Sequence, residues 1–147
     1  MPTPTPPVVI SEFRTRGTAG ASDEFVEIYN NSNSPIDISG WKIRGSSSGG
    51  TITNKLTINA NTTLPGRRHF LATNSGAYTG SVAGDQTYTS GIADDGGIAV
   101  TLPDNSIVDQ VGMSAGSAFK EGTNLAPLPS NANQSYERKP GGFNGST

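Results

Sequence analysis

The chain predicts an all-β sandwich of two mostly antiparallel sheets, built from about 8–9 short strands. Three observations lead there. Apolar and polar residues alternate over short runs, turn residues bound each run, and no segment keeps the 3.6-residue apolar period of a helix. Composition agrees: of 147 residues, 15% are charged and 19 are glycine, a balance suited to turns and half-buried strands. The length is that of one domain.

The first expected strand runs from Val8 to Arg14 and is ended by Gly17-Thr18-Ala19-Gly20. Glu24 to Asn30 follows, with Val26 and Ile28 on one face and Phe25, Glu27 and Tyr29 on the other, as the period of two requires. Bulk on both faces predicts a central strand. Gly40 to Arg44 places Trp41 and Ile43 on one face, and the run Gly45-Ser46-Ser47-Ser48-Gly49-Gly50 predicts the most flexible loop. Thr51 to Ile58 gives Ile52, Leu56 and Ile58 a common parity, so all three are expected to be buried together.

Leu64-Pro65-Gly66-Arg67 reads as a tight turn feeding a strand over Arg68 to Thr73, and Tyr88 to Ser90 as a short edge strand. Ile98, Val100 and Leu102 share a face in the next strand. The loop Pro103-Asp104-Asn105-Ser106 joins that strand to Ile107–Val111 in a hairpin. A long loop spans 112–133, and Gln134 to Lys139 closes the fold. The candidate core is Val26, Ile28, Trp41, Ile43, Ile98, Val100 and Leu102.

Residues 1–7 are rich in Pro and Thr and read as an interdomain linker or a start added to an excised fragment. The domain proper is expected over 8–140, with a flexible tail at 141–147. Ten Lys and Arg against 12 Asp and Glu give a net charge of −2, which excludes the global basic field that draws a protein to nucleic acid. The absence of cysteine excludes disulfides, thiolate zinc and thiol catalysis. No apolar run is long enough to span a bilayer as a helix.

The lone tryptophan on an early strand, among short strands without a disulfide, points to an immunoglobulin-like sandwich. In order along the chain stand Val9-Ile10-Ser11-Glu12-Phe13, Asp23-Glu24-Phe25-Val26-Glu27-Ile28-Tyr29-Asn30 and Ile38-Ser39-Gly40-Trp41-Lys42-Ile43. Leu64-Pro65-Gly66, Ser106-Ile107-Val108-Asp109 and Ser135-Tyr136-Glu137-Arg138 follow. This ordered set resembles a bacterial lamin tail domain from about Val9 to Lys139. The resemblance implies a non-catalytic, immunoglobulin-like module found in exported or envelope proteins, often beside hydrolases. It supplies no catalytic residue, and without coiled-coil heptads the filament function of the animal proteins is not implied.

For function, the expectation is a binding, adhesion or targeting module of a larger exported or cell-envelope protein, monomeric as a domain, with a protein or surface ligand as partner. Two other classes compete: a small hydrolase using loop carboxylates, with or without a metal, and a structural module assembling through sheet edges. His69 is the only histidine, and no Gly-x-Ser-x-Gly element accompanies it. Asp94 and Asp95, in the loop Asp94-Asp95-Gly96-Gly97, form with Asp104 a candidate calcium set of loop carboxylates. Trp41 is assigned to the core, leaving Tyr29, Tyr78, Tyr88 and Tyr136 as the better surface candidates, although spaced strand tyrosines usually fill cross-strand pairs. Basic residues come in pairs, Arg14 with Arg16, Lys42 with Arg44, Arg67 with Arg68, and Arg138 with Lys139. Nucleic acid would bind only if several pairs gathered on one face.

Overall fold

The computed structural model describes residues 4–139; the expected tail at 141–147 lies outside them. Eleven strands follow one another: β1 (Val8–Arg14), β2 (Phe25–Asn30), β3 (Ile36–Asp37), β4 (Lys42–Ser46), β5 (Ile52–Thr57), β6 (Thr63–Leu64), β7 (His69–Asn74), β8 (Gln86–Tyr88), β9 (Gly97–Thr101), β10 (Ile107–Gly112) and β11 (Tyr136–Glu137). The count exceeds the 8–9 expected because β3 and β6, two residues each, pair as a separate ribbon.

The main sheets have the orders β11-β1-β2-β7-β8 and β10-β9-β4-β5. Every pair is antiparallel except β7 with β8. Between the sheets lies an apolar core in which Val26, Ile28, Ile43, Ile98 and Val100 are fully buried and Trp41 is 5% exposed. Leu102 is only half-buried at its margin. Tyr88, one of the four surface candidates, is buried at 3% exposure.

Two expectations fail for identifiable reasons. The glycine and serine run after Arg44 does not end the strand, because Gly45 and Ser46 continue β4 and pair with both β5 and β9. A β-carbon at Gly45 would stand 2.5 Å from Lys55 Cε, so this glycine permits close approach rather than breaking the strand. The turn beyond it is held by Ser47 N–H to Thr51 O at 2.9 Å and Gly50 N–H to Ser47 O at 3.1 Å, with Gly50 at φ 89°. The Ala118 N–H also reaches Ser46 Oγ at 2.8 Å, docking the 112–133 loop onto the same corner.

The second failure is register. Ile43 pairs with Leu56, but Arg44 pairs with Asn54, so Lys55 is the extra residue of a β-bulge. A bulge reverses the side-chain alternation on its far side. Leu56 and Ile58 are buried at 4% and 1% exposure, whereas Ile52 is 40% exposed.

Truncation separates the two registers. Ile58→Ala is expected to lower unfolding free energy by about 2–5 kcal/mol, while Ile52→Ser changes it by less than about 0.5 kcal/mol. Urea denaturation of the two variants measures both values. A comparable loss in each would restore the unbulged register.

Candidate functional site

The side chains on the outward face of the five-stranded sheet follow from its register. Val26, Ile28 and Asn30 of β2 enter the core, so Phe25, Glu27 and Tyr29 point outward. In β1 the register shifts between Ile10 and Glu12. That bulge lets Ile10 and Phe13 both face inward, across from Ile28 and Val26, while Glu12 and Arg14 turn outward across from Glu27 and Phe25.

The row through Glu12 is unusual. It pairs with Glu137 of β11 on one side and Glu27 of β2 on the other, and Glu27 in turn pairs with Leu71 of β7. Beyond Leu71 stands Asp85, whose Oδ2 accepts the Leu71 N–H at 2.8 Å while its own N–H donates to Leu71 O at 2.7 Å. Four carboxylates therefore lie in one line across the sheet. Like charges directly opposite on neighbouring strands destabilise a sheet.

Only part of this charge is met by neighbouring donors. Glu12 Oε1 accepts Ser135 Oγ–H at 2.6 Å, and Glu27 Oε1 accepts Ser11 Oγ–H at 2.7 Å and lies 3.6 Å from His69 Nε2. Among the described residues, Glu12 Oε2, Glu27 Oε2 and Asp85 Oδ1 have no protein donor.

Two rims turn this face into a groove of about 760 Å³, one formed by Tyr78 to Asp85 and the other by Asn133 to Ser135. Both rims are anchored by the buried Arg14–Asp23 ion pair. Asp23 accepts Thr79 N–H at 2.9 Å, Thr79 Oγ1–H at 2.7 Å and Ala19 N–H at 3.2 Å. Burial pushes the Asp23 carboxyl up, but these donors and Arg14 outweigh it and leave it below the usual carboxylate range. Arg14 Nη1 donates to Asn133 Oδ1 at 3.2 Å, and its guanidinium lies 5.4 Å from the Phe25 ring and 5.9 Å from that of Tyr78. Phe25, Leu71, Tyr78 and the 65%-exposed Val82 make one half of the groove apolar.

The other buried carboxylates serve the scaffold. Asp109 Oδ2 accepts the Ile10 N–H at 2.7 Å and Arg138 Nη2–H at 2.9 Å, and Arg138 makes a two-pronged pair with Glu121 at 3.1 and 3.0 Å. Glu24 shares the inward parity of Val26 and is fully buried. Its two oxygens accept Asn74 Nδ2–H and Ile92 N–H, each at 2.6 Å. Burial is the main reason that Glu24 is pushed up to about 7 and Asp109 to about 6, against opposing hydrogen bonds and, for Asp109, Arg138.

The calcium set does not assemble. Asp94 precedes β9 and Asp104 follows it, so a strand of about 17 Å lies between them. Asp94 is engaged by Thr15 Oγ1–H at 2.7 Å and Arg16 Nε–H at 3.0 Å, Asp104 accepts Ser106 N–H at 2.9 Å within its own turn, and Asp95 is exposed. Among the described residues no three His, Cys, Asp or Glu side chains gather as a metal site. Three of the eight paired basic residues are engaged in ion pairs. Arg14, Arg16 and Arg138 face Asp23, Asp94 and Asp109 with Glu121, respectively. His69 packs on the Tyr29 ring at 4.7 Å, and no serine hydroxyl hydrogen-bonds to it among the described residues.

The sequence matches the Lamin Tail Domain over residues 1–115. The chain belongs to the lamin tail domain family. The match takes in β1 to β10, and β11 with Glu137 lies beyond it. Domains of this family are immunoglobulin-like and generally non-catalytic binding or structural modules. No curated protein matches the chain.

The two raised carboxyls set a pH dependence. A carboxyl that binds its proton more tightly when folded contributes stability that is present below its ordinary value and lost as pH rises through its folded value. For Asp109 and Glu24 the loss runs from about pH 4 to above pH 7. The melting temperature is expected to fall over that window, and Glu24→Gln is expected to flatten its upper part. Calorimetry across pH tests this; an unchanged slope in Glu24→Gln contradicts the assignment.

Proposed function

We propose that this lamin tail domain is a non-catalytic binding module of a larger exported or cell-envelope protein, and that its partner sits in the groove on the outer face of the five-stranded sheet. One observation carries the reading: the sheet keeps a rimmed, uncovered face with free acceptor oxygens, while Asp23, Glu24, Asp94 and Asp109 are held by structural donors. Groups fixed in that way are poor candidates for acid–base chemistry, which needs a carboxyl within reach of a substrate proton. The Pro/Thr-rich leader supports a place in a multidomain chain, as such segments act as spacers. The edge strands of the two main sheets are β11, β8, β10 and β5, and side chains that bridge neighbouring edges count against assembly through them. Gln86 of β8 donates to Thr57 O at 2.7 Å and accepts Asn59 N–H at 3.0 Å beside β5, and Arg138, directly after β11, pairs with Asp109 of β10.

A fluorescently labelled domain mixed with cell envelopes of the producing organism tests the reading. Retention is expected for the unaltered domain and is expected to drop by about tenfold, equivalent to about 1.4 kcal/mol, for Glu12→Arg/Glu27→Arg. Equal retention of both proteins, or turnover of a phosphodiester, glycoside or peptide substrate that disappears in Asp94→Ala, would contradict it.

A further inference from the structure

The line of carboxylates says what kind of partner the groove takes. We propose that it binds an extended peptide segment bearing lysine or arginine, laid across the strands along Glu137, Glu12, Glu27 and Asp85. This deepens the binding-module reading and rests on it.

Sheet register brings Glu137, Glu12 and Glu27 to one line, and hydrogen bonds to Leu71 add Asp85; Glu12, Glu27 and Asp85 line the groove, and Glu137 extends the row past it. The arrangement works against the fold, since Glu12 has a glutamate directly opposite on both neighbouring strands. A cationic ligand removes that repulsion. Three acceptor oxygens stand without a protein donor, ready for ammonium or guanidinium groups, which form the stronger, charge-assisted hydrogen bonds. Lys139 and His69 stand beside the acidic line, but no lysine or arginine nitrogen lies within 4 Å of its carboxylates among the described residues. Arg14 is tied to Asp23, and Arg138 faces Asp109 and Glu121.

Length and shape favour a peptide. From β11 to the far side of β7 the line spans about 19 Å at about 4.8 Å per strand, which is the reach of about six extended residues. The apolar half, formed by Phe25, Leu71, Tyr78 and Val82, runs beside the acidic line. An extended chain alternating cationic and apolar residues meets both halves at once, because successive side chains point to opposite sides.

Fluorescence anisotropy with the whole chain and three labelled octapeptides tests the proposal: alternating Lys-Val, alternating Ser-Val and alternating Glu-Val. The Lys-Val peptide is expected to bind saturably and to weaken by about tenfold between about 50 and 500 mM salt, while the other two do not bind. Glu12→Gln/Glu27→Gln keeps the acceptors used by Ser135 and Ser11, and is expected to reduce affinity by about tenfold with a melting temperature unchanged or raised. Asp37→Asn/Asp95→Asn makes the same charge change away from the groove and is expected to leave affinity unaltered.

Equal binding of all three peptides, equal loss in the remote variant, or a sharp fall in melting temperature on neutralising Glu12 and Glu27 would overturn the proposal. So would spermine displacing the peptide at equal concentration, which would point to a free polyamine. Envelope retention with no Lys-Val binding leaves the binding module standing and removes the cationic peptide; Lys-Val binding without envelope retention removes the envelope location and keeps the ligand class.

Discussion

The Asp109 carboxylate, shared between the Ile10 amide and the Arg138 guanidinium, joins the two sheets along one edge. Both β1 and β10 carry bulges there, one between Ile10 and Glu12, the other between Ile107 and Asp109. A bulge leaves backbone groups without ladder partners. Asp109 takes the Ile10 N–H, and Arg138 meets the Ile10 carbonyl through its Nε–H at 2.9 Å and the Ser11 carbonyl through its own backbone N–H at 2.8 Å. The clamp therefore satisfies the interrupted strand and fixes where β11 lies. Its consequence for the surface is direct: the β1 bulge turns Glu12 outward, and the position of β11 sets Glu137 beside it.

Charge is divided between the inside of the molecule and one face. Arg14, Arg16 and Arg138 each meet carboxylates in buried or half-buried pairs. Such pairs gain little net stability because of desolvation, but removing one partner from a buried pair is severe. They act as locating devices for the loops at 19–23, 78–79 and 131–133. The carboxylates of Glu12, Glu27, Asp85 and Glu137 have no lysine or arginine nitrogen within 4 Å among the described residues, and the His69 ring stands 3.6 Å from Glu27.

Much of the fold is legible in the residues themselves. Turn residues delimit Val8–Arg14, and the alternation in Glu24–Asn30 assigns both faces of β2 correctly. The same alternation puts Glu24 on the face of Val26 and Ile28, so its burial follows from strand parity alone. The burial of Tyr88, the exposure of Ile52 and the continuation of β4 through Gly45 are not legible, because each depends on a cross-strand neighbour or a bulge. For the site, a linear reading groups acids by proximity along the chain, as in Asp94 and Asp95. The row of Glu137, Glu12 and Glu27 is instead drawn from residues up to 125 apart and exists only through register. The pairing of Asp109 with Arg138 is hidden for the same reason, since it spans two elements that no local pattern connects.

Hydrogen exchange at the Ile10 amide tests the edge clamp most directly, since that N–H has a side-chain carboxylate as its acceptor. With the clamp in place, Ile10 exchanges only through the global opening that also exposes the amides of β2, and Asp109→Ala increases its rate far more than theirs. Exchange of Ile10 in the unaltered protein at the rate of the Val82 loop, with β2 still protected, would contradict the account.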